Sequence, residues 1–396
     1  MVGTAVDWDF WLGRSSDMSR IVPLQNAHAR SITYALNDRE SASFQISVFD
    51  DAYPYLDREY TCLLAYRNKK LKWSGPILTI TDQMPNATVD VGSVGWFEHL
   101  DHLQLYTGNL GPNPSAPNSG WSTQGQMTAT TLYYNAIEQC QLGADLVGLS
   151  IQATQQIDHA PVFVTLGSVP NSGLTRNITY QEFTPIGQSL QKLSQMEAGF
   201  DFRVDPVTRQ INMYYDPVGP PGTTVRGRGQ VRTNAIFGYH CGPWNIGSLS
   251  RSFDRSKIAN RVFGVGQYGI GTAIDQASAD QYGVWASQSS LSDVVQEEIL
   301  TAFAASEVAT LSQPTIIYTF DQMPLAAGSS TLQPFDDFDI GDYCFLASNY
   351  GILIPPGGPK AAGNYQPVRI FSFKINISDE GVEAVQQIQT SYQAAT

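Results

Sequence analysis

Charge is scarce in this sequence. Asp, Glu, Lys and Arg make up 15% of its 396 residues, against about a quarter in most soluble domains. Such a chain either hides much of its surface in an assembly or carries a Ser/Thr/Asn/Gln-rich β exterior. Basic residues are the scarcer sign, 23 against 36 acidic, for a net charge of −13. That argues against a nucleic-acid binder driven by phosphate neutralisation, though DNA could pass such a surface without being held. Cysteine is rare: Cys62, Cys140, Cys241 and Cys344 form no CxxC pair, which argues against a disulfide framework and leaves a single bridge open. No run approaches the ~20 apolar residues of a membrane span. The opening MVGTAVDWDFWLGR has no positive segment before an apolar one, so no signal peptide is expected and synthesis in the cytosol is.

What is present is β pattern. Residues 31–36 read as a strand, 37–40 as its turn, and 41–48 as a second strand. In the second, Phe44, Ile46 and Val48 alternate with Gln45 and Ser47, the period of a half-buried strand. Residues 60–66 and 71–81 form a further pair around a turn at Asn68-Lys69-Lys70, with Leu78 and Ile80 alternating with Thr79 and Thr81. Four short strands with tight turns predict an antiparallel barrel or sandwich.

The pattern then changes. Residues 108–125 are a loop dense in Gly, Pro, Asn and Ser, and 128–142 predict a helix stopped by Gly143. A second helix is expected from Thr184, with Pro185 first and Ile186, Leu190, Leu193 and Met196 on one face before Gly199. Strands follow at 200–204 and 210–215, then a Pro/Gly-rich loop at 216–229. A second β region opens at 258–265 and holds a helix at 292–311, with Val295, Ile299 and Phe303 on one face. It resumes at 315–320, 342–347, 368–377 and 382–390. The start of the 342–347 strand echoes 59–64, and each is followed by a strand ending in Thr-Asp or Ser-Asp. Two related β domains around a helical insertion would explain that echo.

Several motifs could carry chemistry. Gly264-Val265-Gly266-Gln267-Tyr268-Gly269 is a literal GxGxxG after a strand, but a dinucleotide site needs a following helix and an acid roughly twenty residues on; a Gly-rich strand end is the better reading. Asp336, Asp337, Asp339 and Asp342 could serve glycoside hydrolysis or calcium, yet Phe335, Phe338 and Ile340 interleave with them, so a solvated turn is preferred. His99 and His102, with Glu98 and Asp101, lack the spacing of a zinc-protease helix. His240-Cys241 specifies no nucleophile, and no GxSxG occurs. No catalytic residue, metal or cofactor is therefore expected. Basic residues cluster at Arg67, Lys69 and Lys70 and at Arg226, Arg228 and Arg232. They are solvated faces or intersubunit contacts, which could supply the charge complement between acidic copies.

These segments, in this order, carry a resemblance. SITYALNDRESASFQISVFD at 31–50, then Tyr66-Arg67 and Trp73-Ser74-Gly75-Pro76-Ile77, resembles the opening of siphophage tail-hub proteins. TPIGQSLQKLSQMEAGFDFR at 184–203 is similar to that family's internal helix, and RSKIANRVFGVG at 255–266 to its central strand. Tyr282-Gly283 and the stretch 332–345 resemble its later landmarks. The family is related to the central hub of contractile-tail baseplates. The resemblance implies a mainly β fold with α/β insertions: two tube-like antiparallel β-barrels plus helical insert domains. Barrel one would be 1–98 and 203–245 with 99–202 inserted, and barrel two 246–272 and 314–396 with 273–313 inserted. It further implies a homotrimeric, pseudo-hexameric ring in the virion tail tip. Its partners would be the distal tail protein, the tape measure protein and other tip proteins, with DNA passing unbound. Two rivals are a cell-wall glycan hydrolase using the acids at 336–342 and a receptor-binding tip protein displaying Trp8, Trp11 and Trp121.

Overall fold

A computed structural model describes residues 6–56, 61–104, 119–121, 131–156, 161–172, 175–181, 185–195, 199–218, 226–241, 244–256, 258–266, 268–291, 297–323, 332–348 and 365–392. The fold is mainly β. The first part holds β1 (Trp8–Arg14), β2 (Arg20–Pro23), β3 (His28–Ala35), β4 (Ser41–Ser47), α1 (Tyr53–Leu56), β5 (Thr61–Arg67), β6 (Lys70–Gln83) and β7 (Thr88–Val94). The middle holds α2 (Phe97–His102), β8 (Ser119–Trp121), β9 (Thr131–Glu138), α3 (Gln139–Gln156), β10 (Thr165–Leu166), β11 (Thr175–Gln181) and α4 (Ile186–Gln195). It continues with β12 (Asp201–Val204), β13 (Gln210–Tyr214), β14 (Asp216–Pro217) and β15 (Arg226–Gly227). The last part holds β16 (Val231–Tyr239), β17 (Ile246–Asp254), β18 (Arg261–Gly266), β19 (Ile270–Ile274), α5 (Gln276–Tyr282), β20 (Ala286–Leu291), α6 (Glu297–Leu311), β21 (Thr315–Gln322), β22 (Tyr343–Ser348), β23 (Tyr365–Ile377) and β24 (Glu383–Tyr392).

One sheet dominates, in the order β17-β21-β24-β23-β3-β4-β7-β6-β5-β1-β2, with β22 and β16 branching from β23. No closed barrel forms among the described residues. The internal echo is visible in this order. The strands β3-β4-β7-β6 and β17-β21-β24-β23 follow the same permutation of their chain order. In each set the long strand does double duty. β6 pairs β5 over its first half and β7 over its second, and β23 pairs β22 and then β3. The two sets meet where β23 lies antiparallel to β3, with Asn376 opposite Ser31 and Lys374 opposite Thr33.

Alternation along the strands builds the main core. Ile32 and Tyr34 of β3, Phe44 and Ile46 of β4 and Val89 and Val91 of β7 pack with Phe373, Ile375 and Ile388 from the second set. A second core gathers Trp96, Leu100, the buried face of α3, Ile186, Leu190 and Leu193 of α4, and Phe202, Ile211 and Met213 of β12 and β13. A third, small core joins Val262 of β18 to Ala304 and Val308 of α6. No described helix is long and apolar enough to cross a membrane.

Three local expectations are corrected. Residues 131–138 are strand, and the helix begins at Gln139 and runs through Gly143 to Gln156. Gly143 is a packing position, because a Cβ there would lie 3.0 Å from Met213 and from Phe200. The buried face of α6 is Leu300, Ala304 and Val308, with Phe303 only half-buried. Leu78 and Ile80 do alternate with Thr79 and Thr81 but stand 46% and 39% exposed. Thr184, Met196 and Val295 lie outside the described residues, as do most of the loop at 108–125 and all of the Pro/Gly-rich stretch 351–364.

Candidate functional surfaces

The expected basic clusters divide between interior and surface. Arg67 ends β5 with its side chain 3% exposed, and its Nε donates to Glu383 Oε2 at 2.8 Å. Its two Nη groups donate to Asp336 at 3.1 Å and Gln333 at 2.9 Å, while Trp8 Nε1 donates to the same Glu383 oxygen at 2.9 Å. Arg228 donates to Asp339 at 2.6 Å and Arg232 to Asp342 at 2.8 Å. For these three arginines the charge complement is found within the subunit. Lys69, Lys70 and Arg226 are exposed, Arg226 with its guanidinium over Tyr215 at 5.3 Å.

The acidic cluster is corrected by the same contacts. Asp336 and Asp337 lie in an exposed turn, but Asp342 is buried and Asp339 nearly so. Asp339 sits between Arg228 and Arg203, and Arg203 donates to Glu40 at 3.0 Å. Burial works against the Asp339 carboxylate, yet the two arginines hold its pKa below the usual value. Burial raises the pKa of Glu40 despite Arg203 beside it. Asp201 completes the junction, accepting from Asn37 at 2.8 Å and from Arg369 and the Arg228 backbone. Acids so committed to arginines do not make the free carboxylate pair of a hydrolase. The junction ties the turn at Asn37 to β12, β15 and the entry to β22. Its signal in the sequence, five separated Arg and Asp positions, could not be paired without the fold.

The other motifs fall into structural places. The GxGxxG glycines end β18 and begin the hairpin to β19, with Gly266 N–H donating to Gly269 O at 2.9 Å; Gln267 lies outside the described residues. Gly264 and Gly271 lie under α6, where a Cβ would come within 2.9 and 2.2 Å of the Leu300 backbone. The glycines therefore serve close helix–sheet packing. His99 is half-buried against Phe163 and His102 is exposed, so the pair diverges. No described group of three His, Cys, Asp or Glu could hold a metal. Burial raises the pKa of Cys241, the opposite of an activated nucleophile, and all four cysteines are free thiols. Trp8 is buried and Trp11 half-buried under Arg20; the side chain of Trp121 lies outside the described residues. Among the described residues, the exposed tryptophans are Trp244 and Trp285.

Sequence reasoning missed the outward face of the main sheet. One row across it reads Asn376, Ser31, Ser43, Gly92, Thr79. Another reads Ser250, Thr319, Gln389, Ser372, Ala35. Small side chains pair within it, Ser31 with Ser43 at 2.9 Å, Asn376 to Gln386 at 2.6 Å and Gln45 to Asp90 at 2.6 Å. At Gly92 a Cβ would meet Thr79 Oγ1 at 2.2 Å, which keeps the row flat. Asp90, Asp254, Asp321 and Lys374 are charged on this face, but both rows are uncharged. An exposed sheet normally mixes in Lys and Glu. The signal was present as Ser, Thr and Gln alternating with apolar residues, but it reads as an ordinary solvent side until the strands are joined.

No protein-family model matches the chain, and no curated protein matches it. Solved structures do. A tail protein from Neisseria meningitidis MC58 aligns with a TM-score of 0.58 at 11% identity, over 98% of this chain and 97% of that one. A 43 kDa tail protein of prophage MuSo2 from Shewanella oneidensis aligns at 0.55 with 10% identity, covering 98% and 99%. A prophage tail protein from Listeria monocytogenes EGD-e aligns at 0.51 with 12% identity, covering 98% and 95%. Over nearly its whole length, this chain has the fold of phage tail proteins.

Proposed function

We propose that this chain is a structural, non-enzymatic hub of a phage tail, the ring that joins the tail tube to the tail tip. One observation carries the reading: two strand sets of identical order share one sheet whose outward face is crossed by uncharged rows of small polar residues. Each set is one tube-wall module, the counterpart of the two barrels that the resemblance implies. Three copies bring six modules into a pseudo-hexameric ring, which lets a threefold tip meet a sixfold tube. The outward face becomes the channel wall. The tape measure protein and then DNA pass it, and a wall with so few cations does not hold a polyanion. The distal tail protein and other tip proteins bind the ring's two ends, in a virion whose parts are made in the host bacterial cytoplasm.

Light scattering on the purified chain, followed by negative-stain class averages, tests this. A particle about three times the 43.4 kDa chain mass with an open centre is expected. A species that stays monomeric even with tail-tube or distal-tail protein present would sink the hub reading.

A further inference from the structure

The small module at 258–312 has one covered face and one bare face. Strands β19-β18-β20 form its sheet, and α6 lies on the side to which Gly264 and Gly271 point. Strand alternation turns their neighbours the other way. Arg261, Phe263 and Val265 of β18, Ile270, Thr272 and Ile274 of β19, and Ala286, Gln288 and Ser290 of β20 therefore share the opposite face. Ile270 and Ile274 stand 55% and 47% exposed there. Tyr268 at one end of the sheet and Val284 and Trp285 at the other are exposed as well. Residues 268–285 are thus the densest run of exposed large hydrophobics among the described residues. We propose that this face docks an amphipathic α-helix of a partner protein, apolar along one side with carboxylates beside the apolar stripe. The inference stands apart from the ring reading.

Size points to a single helix. Three strands span about 10 Å between their outer axes, and a helix with its side chains is about 10–12 Å across. β18 has 6 residues, about 20 Å of strand, which roughly 13 residues of helix would cover. The apolar strip runs along β18 and β19, while the β20 row beside it is small or polar. A sheet with an apolar face needs a second layer upon it. Among the described residues that layer is present on the α6 side, where a thin core gathers Ala259, Val262, Ala304 and Val308.

Charge says which helix. The chain carries −13, yet residues 251–261 read RSFDRSKIANR, four cations against one acid. Of the residues that share the bare face, Arg261 alone is charged, and its guanidinium lies 5.0 Å from the centre of the Phe263 ring. Arg255 is exposed at the same end of the module, 5.5 Å over Tyr282, whose carbonyl accepts from Trp285 Nε1 at 2.9 Å. The acids that follow β19 are engaged with α5. Asp275 caps it by accepting from the Ser278 N–H at 3.1 Å, and Asp280 accepts from Gln276 at 2.7 Å. A carboxylate flanking an apolar stripe would therefore meet cations here. A second copy docked face to face would instead set Arg261 against its own mate. Lipid tails would have to cover the polar β20 row, which a helix one strip wide leaves in water.

The test uses the full chain and two labelled helical peptides of about 14 residues. They share one leucine stripe, flanked by Glu in the first and by Lys in the second. In fluorescence anisotropy the Glu peptide should bind about tenfold tighter than the Lys peptide, or better. Arg261→Glu should reverse that order, and Ile270→Ser with Ile274→Ser should abolish binding of both. Both isoleucines are exposed, so an unchanged thermal melt would separate lost binding from lost fold. If the serine variant does not fold, the Arg261 reversal decides alone. Equal affinity for the two peptides, or none for either, overturns the proposal. Pelleting with phosphatidylglycerol vesicles that depends on Ile270 and Ile274, without a peptide preference, overturns it in favour of lipid. A dimer in light scattering that the serine variant lacks overturns it in favour of a second copy.

Discussion

Arg67 is a surface-type residue in a buried place, and its neighbours say what it does. Removing the guanidinium would leave Glu383, whose side chain is 4% exposed, as an uncompensated buried charge. Arg67→Ala should therefore cost about 3–5 kcal/mol, read from urea midpoints. Arg67→Lys should recover little, because an ammonium cannot span Glu383, Asp336 and Gln333 together. A loss under about 1 kcal/mol, the range of a surface pair, would show that the site is wetter than it looks. The junction next to it makes a pH prediction. The folded pKa of Asp339 lies below its unfolded value of about 3.9. Its contribution is thus present above that value and lost as pH falls through the folded one. Glu40 is shifted upward by burial, so its contribution has the opposite sign and declines as pH rises through the folded pKa. In stability measured from pH 3 to 7, Asp339→Asn should flatten the acid-side fall, and Glu40→Gln should favour neutral over acid pH relative to the parent. Identical profiles for all three proteins would show that neither carboxyl is shifted.

Among the elements, α6 shows both what could be read and what could not. Its position was legible from apolar spacing, but its face was displaced by one residue. An alanine-rich helix has several near-equal apolar stripes, and only the sheet beneath it chooses among them. That choice is made by Gly264 and Gly271, which let Leu300 lie directly on β18 and β19. Gly271→Ala should then push the helix off its sheet at about 1–3 kcal/mol, the usual cost of overpacking. Faster amide exchange confined to residues 258–312 would confirm it, whereas protection unchanged there would mean that the helix has room to shift. The same physics explains the other successes and failures. The strand pairs β3–β4 and β5–β6 were readable because alternation and tight turns are local signals. Residues 131–138 were read as helix because their apolar spacing suits either element, and the choice of strand comes from pairing with β11 more than thirty residues on. The exposure of Leu78 and Ile80 was not readable either, since alternation reports a face and not whether anything covers it.

For the whole molecule, net charge and local charge point to different jobs. The chain carries −13, yet the rows of Ser, Thr, Asn and Gln across the main sheet are uncharged. Most of the excess acid therefore lies off these rows. In the proposed ring, acid elsewhere would repel DNA at a distance, while a neutral polar wall would give a passing phosphate chain nothing to grip. If that is the division of labour, cations placed on the wall should convert a conduit into a binder. Ser31→Arg with Ser43→Arg puts two guanidinium groups per copy in the middle of the row. The assembled protein should then retain short duplex DNA at low salt and release it as salt rises, with a log–log slope that steepens by nearly one for each phosphate engaged. The same two charges placed at Val207 and Val382, which stand 58% and 53% exposed, serve as the control. Equal retention by the two variants would mean that net charge alone governs contact with DNA and that the outward face is not the wall. Retention by the Ser31/Ser43 variant alone, lost when the ring is dissociated, would locate the channel on this face.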